Sequence, residues 1–89
     1  MEGQRLKAYV LIKVRTGEVT AVVHQLHRVK ACKSAEMTFG EYDVIAIVEA
    51  GDLEAMGAVI AAQVQTIPGV VNTITCLSVE IDNNLPAAT

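Results

Sequence analysis

The apolar positions of this chain follow two different rhythms. Ala8-Tyr9-Val10-Leu11-Ile12-Lys13-Val14 is apolar on both parities and rich in β-branched residues. That predicts a first strand with both of its faces covered. Val19, Val22, Val23 and Leu26 then recur at helical spacing behind Thr16-Gly17-Glu18. They predict a helix that ends near Arg28, with Thr16 as its N-cap and Glu18 in its first turn. Val29, Ala31, Ala35, Met37 and Phe39 share one parity against Lys30, Cys32, Ser34, Glu36 and Thr38. This alternation predicts a half-buried strand whose apolar face is broken by Lys33, with Met37 and Phe39 in the core. Val44-Ile45-Ala46-Ile47-Val48 is apolar throughout and predicts a central strand. Asp52 is placed to cap a second helix with Leu53, Met56, Ile60, Val64 and Ile67 on its stripe, stopped by Pro68-Gly69. Val70 to Ile81 predicts the fourth strand, and residues 83–89 carry no pattern and are expected to fray.

The element order is β-α-β-β-α-β. Right-handed crossovers turn it into an α+β, ferredoxin-like arrangement, a four-stranded antiparallel sheet with both helices on one face. Residues 1–82 form one domain and 83–89 a tail. The first and third strands are apolar on the uncovered side as well, so that side is expected to meet another subunit's sheet. Composition strengthens this expectation. A chain of 89 residues that is 52% hydrophobic, with mean hydropathy +0.39, has too much surface per volume to hide its aliphatics alone.

Other features set limits. No run approaches the length of a membrane span, and the N-terminus has no signal-peptide core, so a cytoplasmic protein with two buried thiols, Cys32 and Cys76, is expected. A net charge of −3 speaks against general nucleic-acid binding. All seven cations precede position 34 and eight of the ten acids follow it. The fold therefore either separates the two signs or interleaves them. His24 and His27 stand at i, i+3 without a third metal ligand nearby in sequence and are expected to face solvent. With no Gly-rich phosphate loop, GxSxG or HExxH, neither a cofactor nor a metal is expected.

The densest chemistry lies in Met37-Thr38-Phe39-Gly40-Glu41-Tyr42-Asp43-Val44-Ile45. Gly40 can take a positive φ in a tight connection, and a ring and a carboxylate follow at Tyr42 and Asp43. Such a corner can offer backbone N–H groups to an anion and a carboxylate to a cation, which suits a zwitterion. The plain alternative is a solvated hairpin turn in which Asp43 only fixes the chain.

The Gly40-Glu41-Tyr42-Asp43 turn, the Ile67-Pro68-Gly69-Val70 helix exit and the Thr73/Thr75 alternation together resemble the effector-binding domain of Lrp/AsnC regulators, also called the RAM module. The likeness runs from Ala8 to about Ile81. It implies an amino acid effector, a homodimer joined through its sheet faces, and dimers closing into an octameric or decameric ring. The ligand would lie between dimers near the turn, touching Gly40, Tyr42, Asp43, Thr73 and Thr75. Hydroxyls of Thr73 or Thr75 could share the carboxylate, although threonines are also ordinary strand residues. Family regulators carry an N-terminal helix-turn-helix, whereas few residues precede the first strand here. A stand-alone sensor without direct DNA contact is therefore expected. Two other classes stay open, a dimeric α+β barrel enzyme and an adaptor that co-assembles with a full-length regulator of the same family.

Overall fold

A computed structural model describes residues 5–79. The strands are β1 (Leu6–Val14), β2 (Cys32–Met37), β3 (Val44–Ala50) and β4 (Val70–Leu77), and the helices are α1 (Val19–Leu26) and α2 (Leu53–Val59). A π-helical stretch, Ile60–Val64, continues α2. The sheet is antiparallel throughout, in the order β2-β3-β1-β4. This is the expected ferredoxin-like βαββαβ fold. The last residues foreseen for the fourth strand, up to Ile81, and the tail 83–89 lie outside the described residues.

Strand periodicity explains where the core sits. Ala8, Val10 and Ile12 of β1 and Val44, Ala46 and Val48 of β3 are fully buried on the helix side. They meet Val22 and Leu26 of α1, and Met56, Ile60 and Val64 of α2 and its extension. Each large aliphatic buried this way contributes roughly 1.5–3 kcal/mol. Asp52 caps α2 as expected, its Oδ1 accepting from the Ala55 N–H at 2.8 Å. Thr16 does not cap α1. The chain turns at Gly17 with φ +87°, Glu18 is the N-cap without a side-chain bond, and the helix begins beyond the reach of Thr16.

The second face of the sheet has no cover among the described residues. Register places Leu11 beside Ile45 and Ile74, and Tyr9 beside Ile47 and Cys76, all opposite the helices. Tyr9, Ile74 and Cys76 are exposed, and Leu11, Ile45 and Ile47 are half-buried. The two cysteines are not a buried pair. Cys32 is half-buried on one edge strand and Cys76 exposed on the other.

Two further expectations are corrected. Strand β2 begins at Cys32 rather than Val29, because the Val29 N–H bonds to Leu26 O and the Cys32 N–H to Val29 O in successive turns. Lys33 is then the extra residue of a β-bulge, since Cys32 pairs with Val48 but Ser34 with Ile47. Met37 and Phe39 are not core residues, being 61% and 109% exposed. The charges interleave instead of separating. Lys7 pairs across from Glu49, Arg5 lies 3.8 Å from Glu49, and Arg15 lies 3.3 Å from Glu18. No helix among the described residues is long and apolar enough to cross a membrane.

Candidate functional site

The site begins where the β1–β3 ladder runs out. Ile12 and Val44 are the last paired residues, and the Asp43 N–H still donates to Ile12 O at 2.9 Å. The chain then turns away, and the Asp43 carboxylate takes over, its Oδ2 accepting the Val14 N–H at 2.8 Å. Two more bonds close the loop behind it. The Thr38 N–H donates to Asp43 O at 3.0 Å, and its hydroxyl to Tyr42 O at 2.7 Å. Gly40 sits at the tip with φ +149°, the positive region that favours glycine.

This framing leaves Asp43 Oδ1 and the N–H groups of Phe39, Gly40, Glu41 and Tyr42 without partners among the described residues. Asp43 is half-buried and lines a cleft of about 370 Å³ together with Val19, Met37, Thr38 and Phe39. An unpartnered acceptor stands beside an apolar wall, and the free N–H groups of Gly40 and Glu41 lie on the adjoining loop, outside the cleft lining. That arrangement can bind a small molecule carrying both charge signs. Tyr42 stands instead with its ring 5.8 Å from Lys13 Nζ, in a cation–π contact.

The two threonines lie elsewhere. Within the chain β1 separates β3 from β4, so about 10 Å of sheet intervenes between the turn and the β4 edge. The Thr73 hydroxyl accepts from Gln65 Nε2 at 3.0 Å, and Thr75 lines a separate groove with Leu53, Met56, Ile60 and Leu77. Gly40 and Asp43 thus share one corner, while Thr73 and Thr75 belong to the opposite edge. The two sets do not form one cavity in a single chain.

Val19, Met37 and Phe39 were missed as site residues. Parity alone assigns Met37 and Phe39 to the helix side of β2, which is correct for Met37, paired with the buried Val44. Helix α1 has only eight residues, so the end of the strand protrudes past its cover. The available signal was the position of both residues within three of Gly40.

Other chemical groups are less suited to a site. His24 and His27 are exposed beside Met37, with His27 Nε2 3.4 Å from Ala35 O. No three His, Cys, Asp or Glu among the described residues could hold a metal ion. Burial raises the Cys32 thiol pKa, outweighing the opposing effects of the Ser34 backbone and the nearby Lys33 charge. It therefore stays protonated at neutral pH, the wrong direction for a nucleophile.

Comparison with known proteins bears on the family and the fold. The family model for the Lrp/AsnC ligand binding domain matches residues 7–82. No curated protein matches the chain. FFRP-DM1 is similar in structure, with a TM-score of 0.80 and 26% identity over 83% of this chain and 99% of its own. TTHA0845 from Thermus thermophilus has a TM-score of 0.81 and 25% identity, covering 89% of this chain and 99% of that one. The transcriptional regulator NMB0573 of Neisseria meningitidis, solved as a complex with L-Met, shares the fold with a TM-score of 0.76 at 15% identity. Its match covers 91% of this chain and 56% of the regulator. With the family model matching most of its length, the chain belongs to the Lrp/AsnC ligand-binding domain family.

Proposed function

We propose that this chain is an oligomeric sensor that binds a free α-amino acid at the Asp43 corner. The observation that carries the reading is the split role of Asp43. One carboxylate oxygen fixes the end of β1, and the other has no partner among the described residues beside an open cleft. The ligand ammonium bonds to Oδ1, and the free N–H groups of Gly40 and Glu41 receive its carboxylate. Membership of a ligand-binding domain family and the L-Met complex of NMB0573 support an amino acid effector. Thr73 and Thr75 join the site only if assembly brings the β4 edge of a second chain against the turn.

Assembly is part of this reading. The open sheet face carries Tyr9, Leu11, Ile45, Ile47 and Ile74, and a second copy of the same face covers them in a homodimer. Dimers then close into a ring of eight or ten chains, or join a full-length regulator of the same family. Ile74→Glu places a charge in that face and should lower the mass seen by light scattering. An unchanged mass would count against pairing through this face.

The test of binding is a thermal-shift screen of the twenty amino acids, each beside its α-hydroxy acid, which lacks the ammonium. A ligand at a hundred times its Kd should stabilise the chain by about 2.7 kcal/mol. At least one amino acid should raise the melting temperature while its α-hydroxy acid does not. Equal shifts from both would remove Asp43 from the account, and no shift from any amino acid would refute the function.

A further inference from the structure

Helix α1 carries two histidines one turn apart, and strand β2 brings a third group to them. His24 lies in the last turn of α1 and His27 is its C-cap with helical backbone, so the i, i+3 spacing puts both rings on one side of the helix. Both line a cleft of about 210 Å³ with Thr20, Val23 and Met37. Met37 stands two residues beyond the buried Ala35 and so on the same, helix-facing side of β2. The fold thus supplies what the sequence around the histidines lacks. No third His, Cys, Asp or Glu among the described residues joins the pair, but a thioether sulfur does. Met37 is 61% exposed, where a core methionine would be covered. The His27 ring is also oriented, its Nε2 lying 3.4 Å from Ala35 O. A proton on that nitrogen points at the carbonyl and leaves Nδ1 as the ligating atom, a common arrangement behind metal-bound histidines.

We propose that His24, His27 and Met37 form a binding site for Cu(I), held by two imidazole nitrogens and one thioether sulfur. Two exposed histidines alone are ordinary surface residues; the third donor and the oriented ring make them a ligand set. The donor types choose the ion. Calcium and magnesium take oxygen ligands, chiefly carboxylates, and no Asp or Glu lines this cleft. Structural zinc closes with four ligands and takes its sulfur as thiolate, which the cleft does not offer. Thioether sulfur is a soft ligand that selects Cu(I), and imidazole suits copper too. Position favours a cation as well, because both rings stand at the C-terminal end of α1, where the helix dipole is negative. Neither Arg28 nor Lys30, the nearest cations in sequence, lines the cleft. Val23 and the Met37 stem supply an apolar shell that limits water at the ion. The cleft lies on the helix side of the sheet, so pairing through the opposite face leaves it open in the assembly.

The experiment is an anaerobic titration of the full chain with Cu(I) against a colorimetric Cu(I) chelator, repeated with Zn(II) and its own indicator. Wild type is compared with His24→Gln, His27→Gln and Met37→Leu, which keep size and sit at exposed positions, and light scattering checks the assembly of each. The series is repeated with Cys32→Ser and Cys76→Ser combined, so that thiols cannot hold the ion. Cu(I) should bind in one equivalent per chain in both backgrounds and more tightly than Zn(II). Each histidine variant should lower its affinity about tenfold or more, since even the partners behind a ligand are worth that much, and Met37→Leu should lower it severalfold. X-ray absorption of the cysteine-free protein should show nitrogen and sulfur around copper, with the sulfur lost in Met37→Leu. Binding that survives all three variants but disappears with the cysteines would put the ion on the thiols and overturn the site. Dependence on both histidines with no sulfur at the metal would overturn it too, leaving only a two-histidine surface chelate. Tighter binding of Zn(II), or no binding of Cu(I) in competition with the chelator, would refute the assignment.

Discussion

Two glycines with positive φ, Gly69 and Gly40, mark two corners of this molecule. At Gly69 (φ +100°) a methyl group would meet Glu18 Oε1 at 2.6 Å and Val22 Cγ2 at 3.1 Å, and its carbonyl accepts the Arg15 N–H at 2.8 Å. At Gly40 (φ +149°) a methyl group would meet nothing within 4 Å. Both corners connect an element to a strand and both need backbone freedom, yet one is closed by the start of α1 and the other faces open space. A glycine in a filled corner serves packing. A glycine in an empty one, flanked by free N–H groups and a carboxylate oxygen, leaves room for another molecule.

Substitutions should separate the two corners. The largest effect on stability is expected for Gly69→Ala, where backbone strain and the clash with Val22 combine to cost about 2–3 kcal/mol in urea denaturation. Adding Glu18→Ala should recover only part of this loss, because the strain and the Val22 contact remain. Asp43→Ala comes next. It leaves the Val14 N–H unpaired at a largely buried position, for a cost of about 1–2 kcal/mol in the same assay. Gly40→Ala carries backbone strain without a clash and should cost about 1 kcal/mol. A loss as large as that of Gly69→Ala would mean that the Gly40 corner is packed too. Phe39→Ala should change stability by less than about 0.5 kcal/mol, since nothing is buried around that ring.

The same contrast shows what could be read from the sequence. The double-parity apolar runs of β1 and β3, the Asp52 cap and the stripe of Met56, Ile60, Val64 and Ile67 follow local rules and the structure obeys them, whereas Leu53, expected on the same stripe, is exposed. Gly40 as a positive-φ position was legible for the same reason. The bulge at Lys33 was not, because an extra residue in a strand shifts parity without any local signature beyond the break it leaves. Nor was the exposure of Met37 and Phe39, which depends on how far a two-turn helix reaches over the sheet. Thr73 and Thr75 were placed with Gly40 by resemblance. Strand order, a long-range property, sets them at the other edge of the same chain.

Asp43→Asn tests the central claim most directly, because it separates the structural duty of the residue from its role in binding. The asparagine carbonyl can still accept the Val14 N–H, so denaturation should match wild type. The charge that meets the ligand ammonium is gone. Losing a charge-assisted hydrogen bond costs roughly 1.5–3 kcal/mol, so calorimetric titration should show affinity falling on the order of ten- to a hundredfold. Equal affinity in the two proteins, with folding and assembly intact, would mean that Asp43 only closes the loop and that the effector binds elsewhere.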